Sequence, residues 1–414
     1  MKEKYLVINA GSSSLKFSLY DMPEYKELVN GYIEKIGKDD SFYTLKYNGE
    51  KKEVKKVILS HTEAVKTMMF ELIDKGFIKS VSEIGGVGHR VLHGGEYYSD
   101  SVLIDDKVME NIESLLPYGP LHLPGEIDGI NSMREVLGED IPQVAVFDTA
   151  FHQTMPPKNY IYPIPYRLYE EDGIRKYGFH GTSHKYIMEK VQEKLGKEDV
   201  NVISCHIGSG ASICAIKDGM SYDTSMGLTP LDGVIMGTRS GAIDPSIIEF
   251  IANAKNMSVE AVTKMLNSES GLLGLCGQND FRDLNNLVDE GNERAILALD
   301  MFENSIVNYI VKYISELEGN VDAIVITAGI GENGPKFRKS IINKLSWLGI
   351  KTNEEVNDNI ARFKENQEGK ISTDDSKISV FVIPTDEEYM ILKDTFRISK
   401  EYKKGIQKKV KENN

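Results

Sequence analysis

Several polar residues of this sequence sit beside glycine- and serine-rich turns, a grouping suited to gripping phosphate and other anions. Asn9-Ala-Gly-Ser-Ser-Ser-Leu-Lys16 sets a Gly/Ser turn between two apolar runs. Backbone N–H groups of such a turn, with the Ser12 and Ser14 hydroxyls, can cradle phosphate oxygens. Lys16 adds a point charge, and Asn9 can bind a cation directly or through water. This is not the strand–GxxxxGKS/T–helix phosphate loop, because the run after it reads as a strand. His206-Ile-Gly-Ser-Gly-Ala-Ser212 is a second such turn, in which Gly208 and Gly210 permit close backbone approach to an anion. Each segment also reads as a plain hairpin turn. A third segment, AIVITAGIGENG, places Gly329, Gly331 and Gly334 after an apolar strand, where a nucleotide can lie. It lacks the acidic residue about 20 positions on that a nicotinamide cofactor requires.

Arginines, histidines and carboxylates complete the set. Arg90 lies in Gly88-His-Arg-Val-Leu-His-Gly-Gly95 and Arg239 in Gly237-Thr-Arg-Ser-Gly241. Arginine between glycines suits a bidentate grip on an anion; a structural salt bridge is the alternative. Gly178-Phe-His-Gly-Thr-Ser-His184 carries His180 and His184, which also read as satisfied core histidines. Asp148 ends the apolar run Val146-Phe147, where a carboxylate is costly unless paired or metal-bound. Val382-Ile-Pro-Thr-Asp-Glu-Glu388 ends another strand in carboxylates, which also suit a helix N-terminus.

The elements that must position these residues follow from hydrophobic periodicity. Tyr5–Ile8 and the alternating LKFSLYD predict a hairpin, and NVISCHI–GSGAS–ICAIKDG predicts a second one, consistent with two copies of one domain. Helices are predicted near 60–75, 106–115, 245–254, 259–266 and 293–317, and strands at 84–87, 143–147, 323–327 and 378–383. Strands alternating with helices imply an α/β fold with mixed or parallel sheets. A boundary is expected just after Asp148, before MPPKNYIYPIPY. Three glycine turns, each after a strand, suggest two sheet domains that pinch a phosphate-bearing ligand. The basic terminal stretch RISKEYKKGIQKKVKENN reads as a solvated helix and frayed tail.

A chain of 414 residues with a net charge of −14 argues against binding that relies on phosphate neutralisation, whether of nucleic acid or of an anionic membrane. Charged residues at 27% and hydrophobic ones at 41% are globular composition rather than disorder. Cys205, Cys214 and Cys276 share no metal-type spacing, and a reducing compartment fits them. The apolar run at the N-terminus is too short for a signal peptide, and no stretch is long enough to span a bilayer. The expectation is a soluble cytoplasmic protein with no nucleic-acid or membrane partner.

With these residues in view, the sequence resembles the acetate kinase family, from NAGSSSLK at 9–16 to IPTDEE at 383–388. The blocks VFDTAFHQTMP, YGFHGTSHKYI, TSMGLTPLDGVIMGTRSG and TAGIGENG carry the resemblance, which also extends to propionate and butyrate kinases. It implies two duplicated ribonuclease-H-like domains of the actin, Hsp70 and sugar-kinase type around a cleft, residues 1–150 plus 385–414 and residues 151–384. It implies reversible transfer of the ATP γ-phosphoryl group to acetate, giving acetyl phosphate and ADP, with Mg²⁺ or Mn²⁺, and a homodimer.

Residue by residue, the resemblance assigns the metal to Asn9 and Glu387, with Glu388 as fallback, and phosphate contacts to Lys16, Ser12 and Ser14. Arg90 would bind the substrate carboxylate, with Asp148, His180 and Arg239 catalytic. Leu92, Leu121, Phe179 and Pro230 would wall the substrate methyl group. The nucleotide would lie along His206, Ile207, Gly208, Ser209 and Gly210, along Asp280, Phe281 and Arg282, and along Gly329, Ile330, Gly331, Glu332 and Asn333. The family's usual GNGxS turn here carries Ser209, and its usual TNEE reads Thr385-Asp386-Glu387-Glu388.

The chemistry of such a transfer needs no general base. A carboxylate with a solution pKa of about 4.3 is already an ionised nucleophile at neutral pH. The obstacle is repulsion between an anion and a polyanionic triphosphate, so positioning and electrostatics must carry catalysis. On that logic Asp148 orients an arginine or the metal shell rather than abstracting a proton. A propionate-preferring kinase and a non-catalytic nucleotide-binding scaffold are the alternative readings.

Overall fold

The computed structural model describes residues 3–361 and 367–412, with side chains as far as 405. The chain forms two compact units, residues 1–150 with 386–414, and residues 151–385.

The first unit is built on an eight-stranded sheet. Its strands are β1 (Glu3–Gly11), β2 (Ser14–Met22), β3 (Lys26–Glu34), β4 (Phe42–Tyr47), β5 (Glu50–Lys55), β6 (Ile84–Val91), β7 (Val102–Leu103) and β8 (Gln143–Phe147), in the order β5-β4-β3-β2-β1-β6-β8-β7. β1 pairs antiparallel with β2 and parallel with β6, which pairs parallel with β8. β1 and β8 are buried almost throughout, as strands covered on both faces must be. One face packs on helix His61–Asp74, capped by Ser60, whose side chain accepts from the Glu63 amide. Met68, Met69 and Leu72 of that helix join Leu6, Ile8, Phe17 and Val87 in one core cluster. The other face is closed by helix Glu387–Glu412, where Ile391, Leu392 and Ile398 pack with Tyr5, Val7, Val144 and Val146. Gly88 is required at this seam, since a Cβ there would lie 2.1 Å from Thr395 Oγ1.

The second unit holds a six-stranded sheet of β9 (Val202–Ile207), β10 (Ala211–Lys217), β11 (Met220–Thr224), β12 (Ala323–Thr327), β13 (Gly369–Lys370) and β14 (Ser379–Val382), in the order β11-β10-β9-β12-β14-β13. β9 pairs antiparallel with β10 and parallel with β12, which pairs parallel with β14. Strands β3-β2-β1-β6-β8 and β11-β10-β9-β12-β14 therefore repeat one order and one set of directions. This is the duplicated ribonuclease-H-like α/β fold.

Several expectations need revision. β1 and β6 are longer than predicted, and β6 includes Arg90. β3, β4, β5 and β11, and helices Leu123–Leu137, Gly181–Leu195 and Phe281–Asp289, had not been anticipated. TAGIGENG is not an open glycine turn: after β12 the chain enters helix Ala328–Asn333 directly, with Ala328 at φ 65°. The terminal helix is packed, not merely solvated, at Ile398. The tail beyond Glu412, and the side chains beyond residue 405, lie outside the described residues. The three cysteines are free thiols, two of them buried. Among the described residues, no helix is long and apolar enough to cross a membrane.

Candidate active site

In the first unit three polar residues stand at the C-terminal ends of three neighbouring parallel strands, the usual ligand-facing edge of such sheets. Asn9 is on β1, Arg90 on β6, and Asp148 immediately follows β8, its amide bonded to the Val91 carbonyl at 3.0 Å. Asp148 is 1% exposed and takes Arg90 at two points, Nε to Oδ1 at 3.2 Å and Nη2 to Oδ2 at 2.6 Å. A planar guanidinium bound by its edge is fixed in orientation as well as position. The Asp148 charge raises the Arg90 pKa, against the opposing effect of burial.

A residue the sequence reading missed lies beside this pair. Glu126, in helix Leu123–Leu137, is 3% exposed, and its Oε2 accepts from the Leu92 amide at 2.9 Å. Burial raises its pKa to about 7, against the pull of Arg90 and the Leu92 amide. Its signal was helical spacing: Glu126 falls on the buried face with Ile127 and Ile130.

The remaining candidates of the first unit divide by their partners. Lys16 is exposed and faces Asn9 across the hairpin, and Ser12 and Ser14 lie in its turn. Glu388 is engaged, since the Tyr20 hydroxyl donates to its Oε2 at 2.8 Å. The side chains of Asn9 and Glu387 have no hydrogen-bond partner among the described residues. Burial raises the Glu387 pKa, Arg90 lowers it, and Glu388 and Asp386 raise it further. Two unpartnered oxygen donors, one a carboxylate crowded by like charge, fit a hard divalent cation that keeps several waters. The described residues contain no cluster of three His, Cys, Asp or Glu side chains able to form an all-protein metal cage. Of the apolar wall, Leu92 is buried and Leu121 is 61% exposed.

In the second unit, His180 caps helix Gly181–Leu195 from the left-handed region at φ 55° and stacks on His206, ring centroids 4.2 Å apart. Serine hydroxyls lock these rings. His180 Nδ1 meets Ser212 Oγ at 2.9 Å, which also meets His184 Nε2 at 2.8 Å; His206 Nδ1 meets Ser183 Oγ at 2.8 Å. His184 is driven well below its ordinary pKa by burial and by the neighbouring His152 and His206. Arg239 Nη1 donates to the Pro230 carbonyl at 3.2 Å. A Cβ on Gly210 would lie 3.6 Å from both Arg239 Nη1 and His180 Nε2, so both side chains border one glycine turn. Phe179 is buried and its carbonyl meets His152 Nε2 at 2.9 Å.

A cavity of about 530 Å³ opens beside that turn, lined by Gly208, Ser209, Asp280, Phe281, Arg282, Gly329, Ile330 and Asn333. Asn279, Asn285 and Gly334 complete its wall. Asn285 stands one helical turn after Phe281 and donates to the Phe281 carbonyl, a spacing the sequence reading did not follow. His206, Ile207, Gly210, Gly331 and Glu332 are not part of this lining. Glu332 is fully buried, and its Oε1 accepts from the amides of Ala328 at 2.8 Å and Thr385 at 3.1 Å. Arg282 folds back on Asp280, whose pKa falls to about 2 chiefly through that hydrogen bond. A mixed polar and aromatic cavity at strand ends, next to glycine amides, suits a nucleotide.

The chain is similar to known proteins over nearly its whole length. The model of the Acetokinase family matches residues 4–393. An acetate kinase of Clostridium botulinum strain 657 is 50% identical over 404 residues, covering 96% of this chain and 99% of the relative. One from Finegoldia magna is 48% identical over 400 residues, covering 96% and 100%. The crystal structure of Porphyromonas gingivalis acetate kinase is similar with a TM-score of 0.89 at 42% identity, over 96% of this chain and 99% of that one. A propionate kinase from Francisella tularensis is similar with a TM-score of 0.90 at 42% identity, over 96% and 100%.

Proposed function

The chain belongs to the acetokinase family, and from that premise we propose that it transfers the γ-phosphoryl group of ATP reversibly to acetate, forming acetyl phosphate and ADP. The observation that carries the reading is the Arg90–Asp148 pair. It presents a fixed guanidinium at a strand-end site and ties up Asp148, so that aspartate acts on Arg90 and not as a base.

Acetate arrives already ionised, with its pKa near 4.3, so the reaction calls for positioning and charge balance. Arg90 binds the substrate carboxylate, while Asp148 holds the guanidinium. His180, fixed through Nδ1 by Ser212, turns Nε2 toward the Gly210 turn; with Arg239 it stabilises charge on the phosphoryl group in transit. Gly208, Ser209 and Gly210 offer their turn to the phosphates, and the cavity walled by Phe281, Ile330 and Asn333 takes the nucleoside. Lys16, Ser12 and Ser14 contribute phosphate contacts from the first unit. Asn9 and Glu387 would hold Mg²⁺, which when bound neutralises phosphate charge. Leu92, Leu121, Phe179 and Pro230 restrict the length of the acid. A cytoplasmic homodimer completes the proposal, supported by the family resemblance alone.

The test is hydroxamate trapping with ATP, Mg²⁺ and a series of short carboxylates. Acetyl hydroxamate should form, with propionate used less well and butyrate poorly, since one methylene is worth about 1–3 kcal/mol of discrimination. Absence of every acyl hydroxamate overturns the reading. A preference for propionate would favour the propionate kinase alternative, which the similarity to the F. tularensis enzyme keeps open.

A further inference from the structure

Glu126 is a buried carboxyl beside Arg90 that the mechanism above does not use. One oxygen, Oε2, accepts from the Leu92 amide at 2.9 Å, two residues beyond Arg90. The other, Oε1, has no hydrogen-bond partner among the described residues. Arg90 has given Nε and Nη2 to Asp148. Two carboxyls thus act on one guanidinium, Asp148 through two hydrogen bonds and Glu126 through charge alone.

Resting on the acetate kinase reading, we propose that Glu126 is a positioning residue that sets how strongly Arg90 attracts the acid. With Glu126 protonated, it and the Arg90–Asp148 pair carry no net charge, and Glu387 is a further carboxyl that acts on Arg90. With Glu126 ionised, the same three groups carry a net charge of −1 and repel the substrate anion. Burial places this change near neutrality, at a pKa of about 7.

Glu387, whose pKa is also raised, is the chief other group that could titrate into such a response. Arg90 on β6 and Asp148 at the end of β8 act on Glu126 through their charges. Glu387, at the start of the terminal helix, acts on Arg90. From the β1–β2 turn the same helix meets Gly11, which would lie 2.4 Å from a Cβ on Gly125. His61 of helix His61–Asp74 is held on the Gly11 carbonyl at 2.8 Å, and His93 accepts from the Gly95 amide at 3.0 Å. His122 lies one turn earlier on the same helix, its carbonyl bonded to the Glu126 amide. Coupling is reciprocal: if protonation favours the acid, the bound acid must favour protonation.

Two measurements test this. Acetate KM is followed from about pH 6 to about pH 8 for wild type and Glu126→Gln; acetate itself stays ionised throughout. Wild-type KM should rise roughly tenfold, one pK unit of coupling, while Glu126→Gln stays low and flat. The same pH-dependent rise in Glu126→Gln, or a flat wild-type profile, overturns the proposal. The second measurement needs no turnover: calorimetric titration of metal-free wild type and of Glu126→Gln with acetate, in buffers of different ionisation enthalpy. Wild type should show net proton uptake near pH 7 that Glu126→Gln lacks; no uptake in wild type, or equal uptake in both, overturns the proposal. Failure to form acyl phosphate would instead count against the kinase reading, because proton uptake on acetate binding is read independently of the reaction.

Discussion

Asp148 binds Arg90 by its edge, through Nε and Nη2, so the arginine is oriented by a buried carboxylate before any substrate arrives. A lysine keeps the charge but has no fork to be held in this way. Arg90→Lys and Arg90→Ala should both raise acetate KM, by roughly 10- to 100-fold, the worth of about 1.5–3 kcal/mol for hydrogen bonds to a charged group. Initial-rate kinetics with varied acetate checks this; an unchanged KM in Arg90→Ala would contradict the assignment.

Asp148→Asn keeps the shape but removes the counter-charge. We expect a folded protein whose kcat/KM for acetate drops on the order of 100-fold, about 2.7 kcal/mol. Near-full activity with unchanged Mg²⁺ dependence would sink the orienting role.

His180 and Arg239 border the Gly210 turn, and the proposed mechanism has them balance charge in transit. His180→Ala and Arg239→Ala should lose about 10²–10³ in kcat, the usual loss for one transition-state donor, with smaller effects on acetate KM. Ser212→Ala is the informative companion. It frees the His180 ring and strips a partner from buried His184, so it should cost about 1–3 kcal/mol of stability and less kcat than His180→Ala. Urea melts and steady-state rates together separate these effects.

Glu387 and Glu388 are adjacent, but only Glu388 is engaged by the Tyr20 hydroxyl. Glu387→Gln should raise the Mg²⁺ concentration for half-maximal rate about tenfold, in the range typical when metal-site support is lost. Glu388→Gln should shift it much less. Equal shifts would mean that the two carboxylates share the metal.

Acid should destabilise the fold through its buried histidines. His89 and His152 are lowered from 6.5 to about 4 by burial, and His184 further. These rings are neutral when folded and protonate on unfolding, so stability is lost as pH falls from about 6.5 toward 4, by up to about 3 kcal/mol for each of His89 and His152. Glu126 works in the opposite direction. Raised from 4.5 to about 7, it favours the folded state least at high pH and offsets part of that slope. Tm should therefore fall on acidification across this window; a flat Tm would show that these rings do not stay neutral in the folded chain.

What could be read from sequence was whatever is repeated or punctuated locally. The paired hairpins showed through alternation around Gly/Ser turns, and β8 and β12 appeared at their observed bounds because each is a continuous apolar run. β3 to β5 did not appear, because polar residues such as Lys26, Lys51 and Glu53 dilute a pattern that only sheet pairing completes. Among site residues, Arg90 and Asp148 stood out by type. Their bidentate contact depends on strands separated in sequence by two helices. Glu126 and Asn285 were invisible because a single polar residue on a helix ordinarily reads as solvated. Glu332 misled in the other direction: within a glycine-rich motif it suggested a ligand contact, yet its carboxylate is spent on the amides of Ala328 and Thr385.

Helix Glu387–Glu412 covers β1, β6 and β8 although it is made after every strand of both sheets. During synthesis, then, the earliest strands leave the ribosome with Tyr5, Val7, Val144 and Val146 bare on one side, and stay so while the whole second unit is translated. The first unit cannot reach its final form until the closing residues emerge. Chains cut short before Ile391 should therefore retain a sticky, half-finished sheet and become clients of chaperones and proteases, even where every residue named in the chemistry up to Arg239 has already been built.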